Sequence, residues 1–348
     1  MEGRDFCMSS FLALRYIENP SADFSPELRH RPVKKIPEEE KTLVRDARDV
    51  DAAIAKVFRG LAGEKLGLLL SGGMDSGILA SYMPSGADAY TFRFLGGSFQ
   101  AGELARAEEF ARKCHLNLHY VDIDWSVVEK NLPAVMASKG APVHSIEPQL
   151  RHAALQAASD GISKIVIGDA ADYVFGGMDG LYAKDWTYDE FVRRYNYIEP
   201  EEVLVNPVSM DYLYERYRTG PDSIDFVRFL DDVCMDESYA SYDNAFASAG
   251  MPYCDPYEKL RMAEPLDLAR LRSGDSKYIV RDLFRMRYPG MPVPEKLPMP
   301  RPVDAYFASW KGPSRPEFRS DIDISRYSGN QRWLLWCLET FLNVYFPL

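Results

Sequence analysis

LGLLLSGGMDSGILA, residues 66–80, runs from a short, continuously apolar stretch through Ser71-Gly72-Gly73 and straight into a helical pattern. An apolar run of that length reads as a strand covered on both faces. A strand that turns through two glycines into a helix presents successive backbone N–H groups at the positive end of a helix dipole. That geometry suits an anion such as a phosphate chain. Ser71 and Ser76 add hydroxyls, and Asp75 is of the type that holds Mg2+ against phosphates. The plainer reading is a glycine turn that caps a helix. Neither G-x-x-x-x-G-K-S/T nor G-x-G-x-x-G occurs, so the loop is not one of those two nucleotide-binding types.

Outward from the loop, residues 49–63 place apolar side chains at three- and four-residue steps and close on a glycine, as a helix does. Residues 87–94, 116–124 and 164–168 read as strands, and 103–114, 127–138 and 151–161 as helices. This alternation predicts an α/β fold over 51–180: a parallel twisted sheet with helices on both faces, joined by right-handed crossovers. Residues 181–348, rich in Tyr, Arg, Asp and Pro and with helical patterns at 223–248 and 277–288, predict a mostly helical lobe packed on it. Residues 1–50 mix short apolar pieces with proline and charge and read as an irregular lead-in. The proline-rich MPVPEKLPMPRPV, residues 291–303, reads as a rigid surface loop.

The chain of 348 residues is long enough for one large domain or two modest ones. Its 41 Lys+Arg against 52 Asp+Glu, net −11, disfavour binding to nucleic-acid polymers but leave room for a local cationic site. The five cysteines, Cys7, Cys114, Cys234, Cys254 and Cys337, are scattered and form no C-x-x-C, which points to reduced, buried thiols and a cytoplasmic protein. The amino terminus lacks a signal-peptide pattern, and the aromatic tail at 332–348 is too short for a membrane span and carries Glu339. A docked C-terminal helix is expected there.

KIVIGDAADYVFGGMDG, residues 164–180, places Asp169 and Asp172 after an apolar strand that ends in Gly168. Open α/β sheets bind ligands at that carboxyl edge. Asp169 could equally be a helix N-cap. SKYIVRDLFRMRYPG, from Ser276, sets Lys277 and Arg281 four residues apart on a helix, where a lysine could also be a plain surface residue. His144, in GAPVHSIEP, is either a substrate contact or a hydrogen-bonded loop residue. His115 and His119 have ligand spacing but straddle a helix-to-strand junction, which argues against a metal site.

Ser71-Gly72-Gly73-Met74-Asp75-Ser76 resembles the SGGxDS pyrophosphate loop of the N-type ATP pyrophosphatases, enzymes of the adenine nucleotide α-hydrolase-like fold. Residues 168–177 resemble the G-E-G-x-D-E-x-F-G-G-Y signature of the asparagine synthetase carboxyl-terminal domain, with Gly168, Asp169, Asp172 and Phe175-Gly176-Gly177 in register. The Lys277 segment is similar to that family's K-x-x-L-R. GMPYCDPY, residues 250–257, is only loosely similar to its G-x-E-x-R-x-P-F-x-D. TFRFLGG, from Thr91, sits where the family places the loop near adenine, and Leu70 and Phe92 join the expected ATP contacts. The resemblance spans about residues 60–305 and implies an AMP-forming, ATP-dependent ligase that adenylates a carboxylate and passes it to ammonia or an amine.

On this resemblance ATP and its pyrophosphate lie against Leu70, Ser71, Gly72, Gly73, Asp75, Ser76, Phe92, Gly168 and Lys277. Mg2+ lies on Asp75 and Asp172, Lys277 and Asp169 are catalytic, and His144 and Tyr173 face the substrate. Relatives carry a glutaminase domain whose nucleophile is Cys at position 2; here Glu2 stands there, so glutamine hydrolysis is not expected of this chain. Asp169 is one methylene shorter than the family's Glu, and Tyr173 replaces its second Glu, which puts aspartate in doubt as substrate. The expected partners are a small carboxylic acid and an ammonia or amine donor, with a separate glutaminase subunit or a second copy of the chain as protein candidates. Closure of a β-lactam or macrocycle by an internal amine, and a non-catalytic ATP-binding role, are the competing readings.

Overall fold

Leu66, Leu68 and Ile165 are buried without exception, and they build the middle of a five-stranded parallel sheet. The computed structural model describes residues 2–95, 100–295 and 302–348. In chain order the strands are β1 (Leu66–Leu69), β2 (Asp88–Phe94), β3 (Asn117–Ile123), β4 (Lys164–Val166) and β5 (Tyr253–Cys254). Their spatial order is β3-β2-β1-β4-β5. Gly67 of β1 stands between Asp88 of β2 and Ile165 of β4. The connections therefore proceed to one side from β1 through β3 and then return to its other side at β4. The carboxyl ends of β1 and β4 flank this reversal, the place where open α/β sheets leave a crevice.

Helices cover both faces. On one face lie α2 (Ala47–Gly60), α3 (Met74–Ala80) and α4 (Ala101–Lys113), with the later helix α9 (Tyr278–Arg287) completing the layer; Ile54, Ile78, Phe110 and Leu283 share its core. Asp46 caps α2 by accepting from the backbone N–H of Arg48 and Asp49, at 2.8 and 3.0 Å. The other face is covered by α5 (Trp125–Lys139), α6 (Glu147–Ser159) and the 23-residue α8 (Phe226–Ser248), with Ala153, Ala157 and Phe246 packed on Val121 and Ile165. Between these stands the short α7 (Ala171–Val174). Beyond residue 180 the chain is mainly helical, as expected. The sheet is not complete at that point, however, since β5 comes from residues 253–254. Two residues are too few to show a period-two pattern.

The lead-in departs from its expected irregular form. Residues 2–14 are a helix, α1 (Glu2–Leu14), and Cys7, Met8, Phe11 and Leu12 lie in one core with Trp333, Leu338 and Phe341. Those last three belong to α10 (Gly329–Tyr345), which docks as expected. Residues 7–14 are buried all round, so that stretch of α1 shows no contrast between faces to reveal a helical period. The charged stretch that follows is without regular structure up to a single turn at Glu38–Glu40. Glu339, inside the apolar tail, accepts from the backbone N–H of Ser314 and Arg315 at 2.6 and 3.2 Å. Among the described residues no helix is long and apolar enough to cross a membrane. The proline-rich segment expected as a surface loop has residues 296–301 outside the described residues.

Candidate active site

A cavity of about 340 Å³ opens over the carboxyl ends of β1, β2 and β4, the size range of small-molecule sites. Its floor is the loop after β1. Leu70 N–H donates to the Tyr90 carbonyl at 2.8 Å, which fixes the strand end. The Ser71 and Ser76 hydroxyls lie 3.0 Å apart, and Gly73 N–H donates to Ser71 Oγ at 3.2 Å, so the loop closes on itself. A Cβ on Gly72 would stand 2.3 Å from the Glu103 carbonyl oxygen; this glycine is needed for the approach of α4. Arg106 on α4 holds the same residue by donating to the Gly72 carbonyl at 2.9 Å.

Three charged groups from three distant parts of the chain converge beside this loop. Lys277 Nζ lies 2.6 Å from Asp75 Oδ2 and 2.7 Å from Asp172 Oδ1. The lysine is in the left-handed backbone region, φ 50°, immediately before α9, and its side chain is 7% exposed. It is thus no surface lysine. Burial alone would lower its pKa, but the two carboxylates carry it above the ordinary lysine value, so the ammonium is the resident form. The Gly-Gly turn after α7 makes the approach feasible: a Cβ on Gly177 would fall 2.1 Å from Asp172 Oδ1 and 2.9 Å from Lys277 Cδ. Gly168, Phe92 and Thr91 line the same cavity; Gly96 and Gly97 of the stretch expected near adenine lie outside the described residues.

Asp169 does not act as an N-cap, for α7 has no side-chain cap. Burial raises its carboxyl to about 7; Asp255, Asp172 and Glu237 push in the same direction, and a hydrogen bond donated by Ser238 opposes them. Its backbone is set by Asp255, whose Oδ2 accepts from the N–H of Asp169 and Ala170, each at 2.8 Å, and from Tyr239 Oη at 3.0 Å. Burial holds Asp255 itself up at about 6. Its only sequence signal was the Pro252–Asp255 end of a loosely similar segment. Ser238 and Glu237, both on α8, also line the cavity and had no sequence signal.

Tyr173 and His144 both line the cavity, and burial lifts the Tyr173 hydroxyl well above its ordinary value. His144 Nε2 stands 2.9 Å from Arg15, a residue that follows α1 and that the sequence did not mark. His119 is turned away and pairs with Asp88 at 2.8 Å, while His115 adopts φ 54° at the end of α4. The cysteines are free thiols. Among the described residues no group of three or more His, Cys, Asp or Glu is placed to hold a metal ion.

No curated protein matches the chain. The family model described as asparagine synthase matches residues 50–237, a segment that holds the β1 loop, Asp169 and Asp172 but ends before Asp255 and Lys277. The match covers more than half of the 348 residues and includes both strand ends that shape the cavity, and the chain belongs to the asparagine synthase family, whose members carry out ATP-dependent amidation.

Proposed function

We propose that this protein is an AMP-forming ligase: it adenylates a small carboxylic acid and transfers the acyl group to ammonia or an amine. The observation that carries the reading is the Lys277 ammonium seated between Asp75 and Asp172 beside the Ser71–Ser76 loop. A carboxylate is a poor acyl donor because its leaving group would be oxide. When a carboxylate oxygen attacks the α-phosphorus of ATP, the bond to the bridging oxygen breaks and pyrophosphate departs into the loop. Negative charge gathers where Lys277 stands, and a fixed cation in a site shielded from water stabilises it without reorganising. The amine then adds to the acyl carbon, AMP leaves, and the amine's surplus proton passes to a base.

Magnesium is usually held by one or two carboxylates together with substrate phosphates and water. Asp75 and Asp172, both within 2.7 Å of one cationic nitrogen, form a hard-oxygen pair of that kind and would hold it. When bound it supplies charge neutralisation to the phosphates.

Incubation with ATP, ammonium and a panel of carboxylic acids is expected to yield AMP and pyrophosphate; ADP and phosphate as products would overturn the reading. The same assay separates the competing readings. A non-catalytic chain gives no turnover, and a cyclase turns over without added amine.

Asp169 is the base we assign to the second half-reaction. Its carboxyl, held near 7, is mostly protonated below that pH and mostly ionised above it. At a constant concentration of free, unprotonated amine, aminolysis of the adenylate should therefore climb about tenfold per pH unit below 7 and flatten above it. Asp169→Asn should leave acid-dependent ATP–pyrophosphate exchange within a few-fold of wild type, slow amide formation by about 10²–10⁴-fold and remove the inflection near 7. Equal loss of both half-reactions would dismiss Asp169 as the base.

A further inference from the structure

A second cavity, of about 710 Å³, meets the cavity over the sheet at Tyr173, which lines both. Its apolar surface comes from Val174 of α7, from Leu230 and Met235 of α8, and from Leu260 and Met262. Leu230 and Leu260 are almost wholly buried. Of the carboxylates that line it, Glu38, Asp232 and Asp236 are paired, with Lys41, Arg228 and Lys35 respectively, and Arg261 also pairs with Glu38. Asp231, Glu258 and Glu264 have no ion-pair partner among the described residues, against Lys34 as the one lining cation in the same position. Burial lifts Glu258 to about 7; Asp255 and Asp243 push the same way, and Lys41 and Lys259 oppose them. Carboxyls raised in this manner mark a place short of positive charge.

Surplus carboxylates repel an anionic ligand. A bare metal ion does not fit either, since among the described residues no group of three or more His, Cys, Asp or Glu is placed to hold one. Ammonium leaves the apolar surface and nearly all of the volume unused. A hydrocarbon chain with an ammonium group uses the apolar surface, the volume and the unpaired acids together. Helix α8 partitions this cavity from the site already described. Ser238 lines the cavity over the sheet and donates to Asp169, while the next residue, Tyr239, lines the second cavity and donates to Asp255 Oδ2 at 3.0 Å. An amine that reaches Tyr173 from the second cavity therefore arrives beside the assigned base.

We propose that the acyl acceptor is a diamine with an apolar chain: one ammonium is retained by the unpaired carboxylates of the second cavity, and the other nitrogen, unprotonated, reaches past Tyr173 to the adenylate. The proposal rests on the ligase reading above. That nitrogen forms a bond to the acyl carbon, the bond from the acyl carbon to the AMP oxygen breaks, and the surplus proton passes to Asp169. Residues 33–41 and 258–266, which supply much of the cavity wall, lie outside the matched residues 50–237.

Two measurements test this. With the acid that best supports ATP–pyrophosphate exchange, 1,6-diaminohexane should exceed hexylamine, which lacks the second charge, and 1,2-diaminoethane, which lacks the apolar span. The expected advantage in kcat/KM is about tenfold to a hundredfold, the worth of a contact to a charged group. The N-(6-aminohexyl) amide is identified by its mass. In the triple variant Asp231→Asn, Glu258→Gln, Glu264→Gln the advantage over hexylamine should vanish, while exchange, which needs no amine, stays near wild type and reports an intact fold. Calorimetric binding of 1,6-diaminohexane and hexylamine to the wild-type protein should show the same preference without turnover. Equal binding of the two amines, or a preference that survives the triple variant, overturns the assignment of the cavity. So does incorporation of hexylamine or ammonium in place of a bound diamine. Selective binding of the diamine without exchange on any acid would instead overturn the ligase reading and leave the cation site standing.

Discussion

Lys277→Met is expected to lower acid-dependent ATP–pyrophosphate exchange by about 10²–10³-fold, the cost of removing one fixed group that stabilises developing transition-state charge. Burial makes the effect large. The side chain is 7% exposed, so no water stands ready to take over, and the two carboxylates at 2.6 and 2.7 Å are left facing each other without their shared cation. That repulsion works against an incoming phosphate chain as well as against the transition state, so KM for ATP should rise together with the fall in kcat. Lys277→Arg should not restore the rate, because a planar guanidinium cannot serve as a compact point charge between Asp75 and Asp172. Exchange within tenfold of wild type in Lys277→Met would remove the lysine from the chemistry and leave it a purely structural ion pair.

Gly177→Ala is expected to cost about as much, at about 10²-fold in exchange, although no charge is touched. A single methyl group would stand 2.1 Å from Asp172 Oδ1, 2.9 Å from Asp172 Cα and 2.9 Å from Lys277 Cδ, so the carboxylate, its backbone and the lysine cannot all stay in place. Displacement of catalytic groups by about 1 Å is worth about that factor. The control is Gly102→Ala, on α4, where the nearest atom to the new Cβ is 3.8 Å away at the tip of Arg106. It should leave exchange unaltered. Wild-type exchange in Gly177→Ala would mean that the Asp172–Lys277 contact is not needed in the reacting complex.

The strand, glycine loop and helix at 66–80 were legible because each is a local pattern: an apolar run, a pair of glycines, then helical spacing. The same holds for Asp169 and Asp172, which sit a fixed few residues beyond an apolar strand. Asp255 was nearly invisible because its contribution is made through backbone N–H groups more than eighty residues away, at Asp169 and Ala170. Helix α1 was missed because from residue 7 onward it is buried on every side, and periodicity needs a contrast between faces.

The sequence by itself thus determined the order of strands and helices from β1 to β4, the loop at the end of β1 and the acids at the end of β4, since these follow from residue type and spacing over a dozen positions. Tertiary structure alone decided the rest. The return of the chain across β1 brought β4 beside it, α9 delivered Lys277 between carboxylates from both strand ends, and the docking of α1 on α10 set Arg15 against Glu237, 222 residues later. Such meetings depend on which helix faces bury together. One chain position carries no record of that until the core has formed.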